Sequence, residues 1–109
     1  MVTAPLLSLG RFHLEEFMPA LTVEQATSQL DTLPAWQIEG GELVRVFKFE
    51  DFLAAMRFVN KVAELAESAG HHPDIDIRYS KVRLALVTHD AGGLTSKDFD
   101  LAAQADKAV

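Results

Sequence analysis

The chain has 109 residues, no cysteine and a formal net charge of −6, from 10 lysines and arginines against 16 aspartates and glutamates. This length suits one small domain, and the lack of cysteine excludes a disulfide scaffold, a thiol nucleophile and cysteine-ligated metal centres. The acidic balance argues against binding to nucleic-acid phosphates, and no apolar stretch approaches the roughly 20 residues that span a bilayer. We therefore expect a cytoplasmic protein with no direct nucleic-acid or membrane partner.

Order along the chain is predicted to begin after residue 20. Residues 1–20 show no sustained hydrophobic period, so they are predicted to be an N-terminal extension of unassigned role, followed by a single domain at 21–109. Thr22 to Gln25 has the form of a capping box, in which two side chains satisfy free backbone donors at a helix start. A short helix to about Asp31 is the expected result.

The next segment is typical of a β-hairpin. Trp36 to Glu39 alternates apolar and polar residues, Gly40-Gly41 is a turn signal, and Leu43 to Phe49 is rich in valine and phenylalanine. Two antiparallel strands are the simplest interpretation.

Residues 51–69 change to a helical period, which predicts the longest helix of the chain. Gly70 is expected to end it, because glycine adopts the left-handed conformation of a helix C-cap, and Pro73 prevents any resumption. The predicted core stripe comprises Phe52, Ala55/Met56, Val59, Val62/Ala63 and Ala66. Three more apolar residues are expected outside this stripe, free to pack against a second subunit: Leu53, Phe58 and Leu65.

The C-terminal part predicts two more strands, or one long bent strand, and a last helix. Apolar residues alternate from Ile75 to Tyr79 and again from Val82 to Val87. Gly92-Gly93 breaks this pattern, and a second capping box at Thr95 to Asp98 opens the helix. The order α-β-β-α-β-β-α predicts an α+β two-layer sandwich, with a four-stranded antiparallel sheet and three helices on one face.

Three of the four histidines fall at predicted element boundaries, where rigid elements present side chains to a ligand. They are His71 and His72 after the long helix and His89 at the end of the last strand. Histidine titrates nearest neutrality, so a cluster suits general acid and base catalysis. From the residue types alone, a solvated helix end and a zinc site of three imidazoles remain alternatives.

Four segments resemble the pterin-4a-carbinolamine dehydratases, and the similarity continues upstream to cover residues 21–105. The four segments are Glu67 to Asp74, Ile77 to Val82, Thr88 to Thr95 and Asp98 to Ala102. The upstream matches are Leu21 to Glu24, Trp36 and Phe47 to Phe52. The most specific feature is a His-His-Pro sequence combined with a third histidine in a Thr-His-acid segment at the family spacing.

The resemblance implies a reaction, a set of site residues and the absence of any metal or organic cofactor. The reaction is dehydration of 4a-hydroxytetrahydrobiopterin, or a related pterin-4a-carbinolamine, to the quinonoid dihydropterin in tetrahydrobiopterin recycling. The implied catalytic residues are His71 and His89, one as acid and the other as base in an order left open, and His72, which positions the substrate or supports its partner histidine. The residues implied to bind the pterin are Trp36, Glu67, Gly70, Pro73, Val87, Thr88 and Asp90.

The chain departs from the family pattern at one position, and the resemblance also implies partners. Many members have an acidic or amide residue directly before the histidine pair, where this chain has Gly70. Members form homodimers through sheet edges and, in some cases, homotetramers through the long helix. Relatives of this fold act as dimerisation cofactors of transcription factors or as assembly factors for carbon-fixing enzymes. A protein-binding module with a second protein partner, or a pterin-binding protein without turnover, is therefore the alternative.

Overall fold

The computed structural model describes residues 19–109, so the predicted extension lies almost wholly outside the described residues. These residues form three helices, namely α1 (Val23–Leu30), α2 (Phe52–Ala69) and α3 (Ser96–Lys107). They also form four strands, namely β1 (Gln37–Glu39), β2 (Glu42–Lys48), β3 (Asp74–Arg78) and β4 (Lys81–Leu86). None of the three helices is long and apolar enough to cross a membrane.

The four strands form one antiparallel sheet in the order β1-β2-β4-β3. The first hairpin closes at Gly40-Gly41, where φ values of 56° and 80° suit a two-residue turn with the twist of the flanking strands. The second hairpin closes at Tyr79-Ser80, between the paired residues Arg78 and Lys81. The region after α2 is therefore two strands and not one bent strand.

The core lies between one face of the sheet and all three helices. Alternate residues of β2 and β4 are buried on that face: Leu43, Phe47, Val82, Leu84 and Leu86. They form one cluster with buried residues of the helices, among them Ala26 of α1 and Phe99 of α3. The predicted α+β sandwich with its helices on one face of a four-stranded sheet is confirmed.

The buried stripe of α2 differs from the predicted one. It consists of Ala55, Phe58, Val62 and Ala66. Phe52, which was expected in the core, is 49% exposed, and Leu53 is exposed as expected. The prediction was wrong for Phe58, because its ring packs against those of Phe47 and Phe49, with centroids 4.5 and 5.1 Å apart. Leu65 likewise packs against the core.

The end of α2 fixes the position of the histidine pair. Gly70 adopts the left-handed conformation, with φ 63° and ψ 31°. Its N–H donates to the carbonyl of Glu67 at 3.2 Å, and the N–H of His71 donates to the carbonyl of Ala66 at 3.1 Å. This pair of bonds is the Schellman arrangement. The backbone therefore holds His71 directly behind the helix.

The substitution Gly70→Ala is expected to lower the free energy of unfolding by about 1–2 kcal/mol, the cost of a left-handed conformation for an L-residue. Steric crowding does not increase this cost, because a Cβ at Gly70 would meet no atom within 4 Å. Gly70→Asn is the matched control, since asparagine tolerates this conformation better than alanine. Urea unfolding checks this prediction, and equal midpoints for the wild type and Gly70→Ala would contradict it.

Candidate active site

A cleft of about 300 Å³ lies where the end of α2, the end of β4 and the start of α3 meet. Its lining residues are Gly70, His71, His72, Val87, Thr88, His89, Asp90 and Lys97. The fold thus brings together all three predicted catalytic histidines. It also brings four of the seven predicted substrate-binding residues to the same cleft.

His71 is the most enclosed of the three histidines. Its side chain is 11% exposed, and its Nε2 lies 2.5 Å from Oδ1 of Asp98, whose side chain is fully buried. An ionised carboxylate only accepts hydrogen bonds, so with Asp98 ionised the imidazole of His71 is the donor, from Nε2. Nδ1 of His71 is then the nitrogen that can take a proton.

Asp98 is held at the start of α3 by three donors. It is the third residue of the helix, and its Oδ2 accepts the N–H of Thr95 and the hydroxyl of Thr88, each at 2.9 Å. Nε2 of His71 bonds to the other oxygen and is the donor when Asp98 is ionised. The free N–H groups at a helix start carry partial positive charge, which favours a carboxylate there. This buried carboxylate is therefore fully satisfied, as a buried charge must be.

His72 and Glu67 form a second pair at the exposed rim of the cleft. Nε2 of His72 lies 2.9 Å from Oε1 of Glu67, and the two side chains are 65% and 82% exposed. An exposed pair of this kind contributes about 0–1 kcal/mol, because water competes for both partners. Glu67 does not line the cleft and reaches it only through His72.

His89 stands in a tight turn directly after β4. The turn, His89–Ala91, is closed by backbone pairing of Thr88 with Gly93, in which the N–H of Thr88 donates at 3.1 Å. Gly93 lies close to Ala20, since an added Cβ would come within 3.0 Å of the Ala20 Cβ. The imidazole of His89 is thus presented to the cleft by a short, packed loop.

Three of the predicted binding residues lie outside the cleft, namely Glu67 at its rim, Trp36 and Pro73. Trp36 is 2% exposed in the core, where its ring meets Phe47 edge-on with centroids 5.9 Å apart. Its Nε1 donates to Asp106 of α3 at 2.9 Å, so the indole links the residue before β1 to the last helix. Pro73 is half-buried behind the histidine pair and does not line the cleft.

Two residues of the site were not predicted as site residues from the sequence. Asp98 belongs to a capping box that is visible in the sequence, but its bond to His71 joins residues 27 apart, which no local pattern reveals. Lys97 lines the cleft from the second position of α3, half-buried. A positive charge there is unfavourable for the helix itself.

Among the described residues, the larger cavity and the grouping of metal-ligating side chains both differ from what a competing acid-base or metal site would need. Within residues 19–109, no three histidine, aspartate or glutamate side chains are grouped to hold a metal ion. A larger cavity of about 530 Å³ lies between α2 and the end of α3, lined by Lys61, Glu64 and Lys107 among others, without any imidazole. The histidine cleft combines the buried pair of His71 and Asp98 with the exposed imidazole of His89. This arrangement is suited to taking and giving protons.

Comparison with known proteins relates this chain to one family. The family model for pterin 4 alpha carbinolamine dehydratase matches residues 19–108. A relative from Acidobacterium capsulatum is 66% identical over 79% of this chain and 94% of its own length. One from Chloroflexus aurantiacus is 59% identical over 83% of this chain and 97% of its own length. Both are named, provisionally, as pterin-4-alpha-carbinolamine dehydratases.

Two solved structures share the fold. A transcriptional coactivator/pterin dehydratase from Brucella melitensis is 32% identical, with a TM-score of 0.79 over 82% of this chain and 97% of that chain. A pterin dehydratase-like protein, identified as a RuBisCO assembly factor in the alpha-carboxysome, is 27% identical, with a TM-score of 0.60 over 68% and 88%. The family match over almost all described residues and the two relatives above together show that this chain belongs to the pterin-4a-carbinolamine dehydratase family.

Proposed function

We propose that this chain dehydrates 4a-hydroxytetrahydrobiopterin, or a related pterin-4a-carbinolamine, to the quinonoid dihydropterin. The observation that carries the proposal is the buried pair of His71 and Asp98 beside the exposed imidazole of His89 on one cleft. Membership of the family supplies the substrate class. The physiological role would be tetrahydrobiopterin recycling in the cytoplasm.

The reaction removes water across C4a and N5 of the pterin. A base takes the proton from N5, the C4a=N5 bond forms, the C4a–O bond breaks, and an acid protonates the departing hydroxyl. His71 suits the base, because Asp98 keeps the imidazole proton on Nε2 and stabilises the imidazolium that forms. His89 is the candidate for the acid, since it lines the same cleft as His71.

The rest of the cleft suits a planar heterocycle with several donors. The 2-amino group and ring N–H groups of a pterin require acceptors, and we assign this role to backbone carbonyls of Val87 and Asp90, two residues that line the cleft. Lys97 supplies a cationic donor for the pterin carbonyl oxygen. His72, braced by Glu67 at the rim, holds the outer edge of the substrate.

We propose further that the chain self-associates through the start of α2. Phe52 and Leu53 are exposed side by side there, and apolar area of this kind is typical of a subunit contact. Leu53→Glu is expected to shift the protein towards monomer in sedimentation at micromolar concentration, whereas Glu24→Gln on α1 is the control that should not. A wild type that sediments only as monomer would contradict this proposal.

The experiment that tests the activity supplies chemically generated 4a-hydroxytetrahydropterin to the purified protein. We expect quinonoid dihydropterin to form faster than in buffer alone, in proportion to protein concentration. Prior treatment of the protein with a chelator should leave this rate unchanged, because the residues of the cleft supply both proton transfers. A rate equal to that in buffer would overturn the proposed function.

A protein-binding role is the second candidate, favoured by the two solved neighbours, which are described as a transcriptional coactivator/pterin dehydratase and a RuBisCO assembly factor. Such a role would use an exposed surface, such as that of Phe52 and Leu53, and would not require the histidines. A complex with a partner protein that survives loss of His71 and His89, in a chain without dehydratase activity, would support this candidate. Activity that depends on both histidines would support the enzyme.

A further inference from the structure

We propose that Thr88 and Thr95 are positioning residues that fix the tautomer of His71 by orienting Asp98. The proposal rests on the proposed function only where it concerns activity, because the tautomer is a property of the free protein. It gives Thr88 a role other than the substrate binding that the family resemblance implies.

The direction of each hydrogen bond in this group follows from the chemistry of its members. Thr88 has one hydroxyl proton, which it donates to Oδ2 of Asp98 at 2.9 Å. The hydroxyl oxygens of Thr88 and Thr95 lie 2.8 Å apart. Since the Thr88 proton is already used, Thr95 is the donor between them. Thr95 Oγ1 in turn accepts the backbone N–H of Lys97 at 3.3 Å.

These bonds form a chain in which every donor has an acceptor. It runs from the backbone of α3 through Thr95 and Thr88 to Asp98, which also accepts from His71. Thr95 and Asp98 are 0% exposed and Thr88 is 8% exposed, so water does not easily replace a missing partner. A buried polar group left without a partner is costly, which favours this single arrangement of protons.

The consequence for His71 is a defined tautomer. With both lone-pair regions of Oδ2 engaged by Thr95 and Thr88, the carboxylate plane is fixed and Oδ1 is aimed at Nε2 of His71. The imidazole proton then stays on Nε2, and Nδ1 remains an acceptor. The capping box of α3 therefore also determines which nitrogen of His71 can accept a proton.

The consequence for Thr88 is that its hydroxyl has no proton left for a ligand. Thr88 lines the cleft, but its O–H is used by Asp98 and its oxygen accepts from Thr95. Loss of this hydroxyl should consequently act on the turnover step through His71 and Asp98, and much less on the affinity for substrate.

The experiment combines ¹⁵N NMR of the histidine side chains with kinetics on Thr88→Val and Thr88→Ser. The His71 signals are assigned by their loss in His71→Gln. In the wild type we expect the Nε2–H tautomer of His71. In Thr88→Val we expect a mixture of tautomers and a kcat lowered about tenfold, as is typical for loss of a group that orients a functional histidine, with KM changed less than twofold. Thr88→Ser, which keeps the hydroxyl, should restore both.

Several results would overturn the proposal, and they separate it from the proposed function. An Nδ1–H tautomer in the wild type would mean that Asp98 carries the proton, and this measurement needs no variant to fold. A Thr88→Val protein with unchanged His71 signals, or with raised KM and unchanged kcat, would make Thr88 a substrate contact. If the wild type has no activity, the proposed function fails while the NMR comparison still decides the role of Thr88.

Discussion

Replacing either His71 or His89 with glutamine is expected to lower kcat for carbinolamine dehydration on the order of 10²-fold or more, the usual contribution of a positioned acid or base. Glutamine retains a donor that can bond to Asp98 in place of His71, so the buried carboxylate keeps a partner. The loss should therefore reflect proton transfer and not the unfolding of the site. Stopped-flow turnover of each variant, with circular dichroism to verify the fold, checks the prediction.

The matched comparison for these variants is His72→Gln. His72 is 65% exposed, and its partner Glu67 is 82% exposed, so this pair is weak and easily replaced by water. We expect a loss in kcat/KM of no more than about tenfold, mainly through KM. A loss for His72→Gln as large as that for His71→Gln would mean that the rim histidine transfers a proton, contrary to the roles assigned here.

Asp98→Asn is expected to lower kcat by about 10²- to 10⁴-fold, the range set by loss of a carboxylate that fixes a catalytic imidazole. The amide oxygen would take the place of Oδ2, where Thr95 and Thr88 both donate. The NH₂ group would then face Nε2 of His71 and donate to it, which forces the imidazole proton onto Nδ1. Kinetics and the ¹⁵N signals of His71 should change together.

Asp98→Ala separates the catalytic role of Asp98 from its structural role. Alanine leaves the buried N–H of Thr95 and the hydroxyl of Thr88 without their acceptor, at a cost of about 1–3 kcal/mol for each unsatisfied group. Asp98→Asn keeps that acceptor and should be clearly more stable in urea unfolding. An Asp98→Asn protein with wild-type kcat would contradict the assigned role of the His71–Asp98 pair.

Local signals in the sequence were sufficient to predict the elements that surround the site. The capping boxes at Thr22 and Thr95 are both formed, because each depends only on residues three apart. Gly70 ends the long helix as predicted, since the left-handed C-cap is a property of one residue. The hairpin at Gly40-Gly41 is likewise set by its own turn.

Features that depend on distant residues could not be predicted in this way. Apolar residues occur so often in α2 that its period fits more than one stripe, and the rings of Phe47 and Phe49 select the one that contains Phe58. Trp36 is buried by its contacts with Phe47 and Asp106. These contacts exist only after the sheet and α3 have come together.

The difference between local and distant contacts also explains which residues of the site were predicted. The three histidines were identified by family resemblance and meet on one cleft, as do Gly70, Val87, Thr88 and Asp90. The carboxylate that orients His71 was not predicted, because Asp98 is fully explained as a capping residue, even though it lies in a segment that resembles the family. Only the packing of the α3 start against the end of α2 gives it the second role.

The most direct test of the central claim compares the wild type with the double variant His71→Ala, His89→Ala in one stopped-flow assay of 4a-hydroxytetrahydropterin. If the histidine cleft is the dehydratase site, the wild type accelerates formation of quinonoid dihydropterin and the double variant is slower on the order of 10²-fold or more. Equal rates for the two proteins would show that these imidazoles do not perform the reaction.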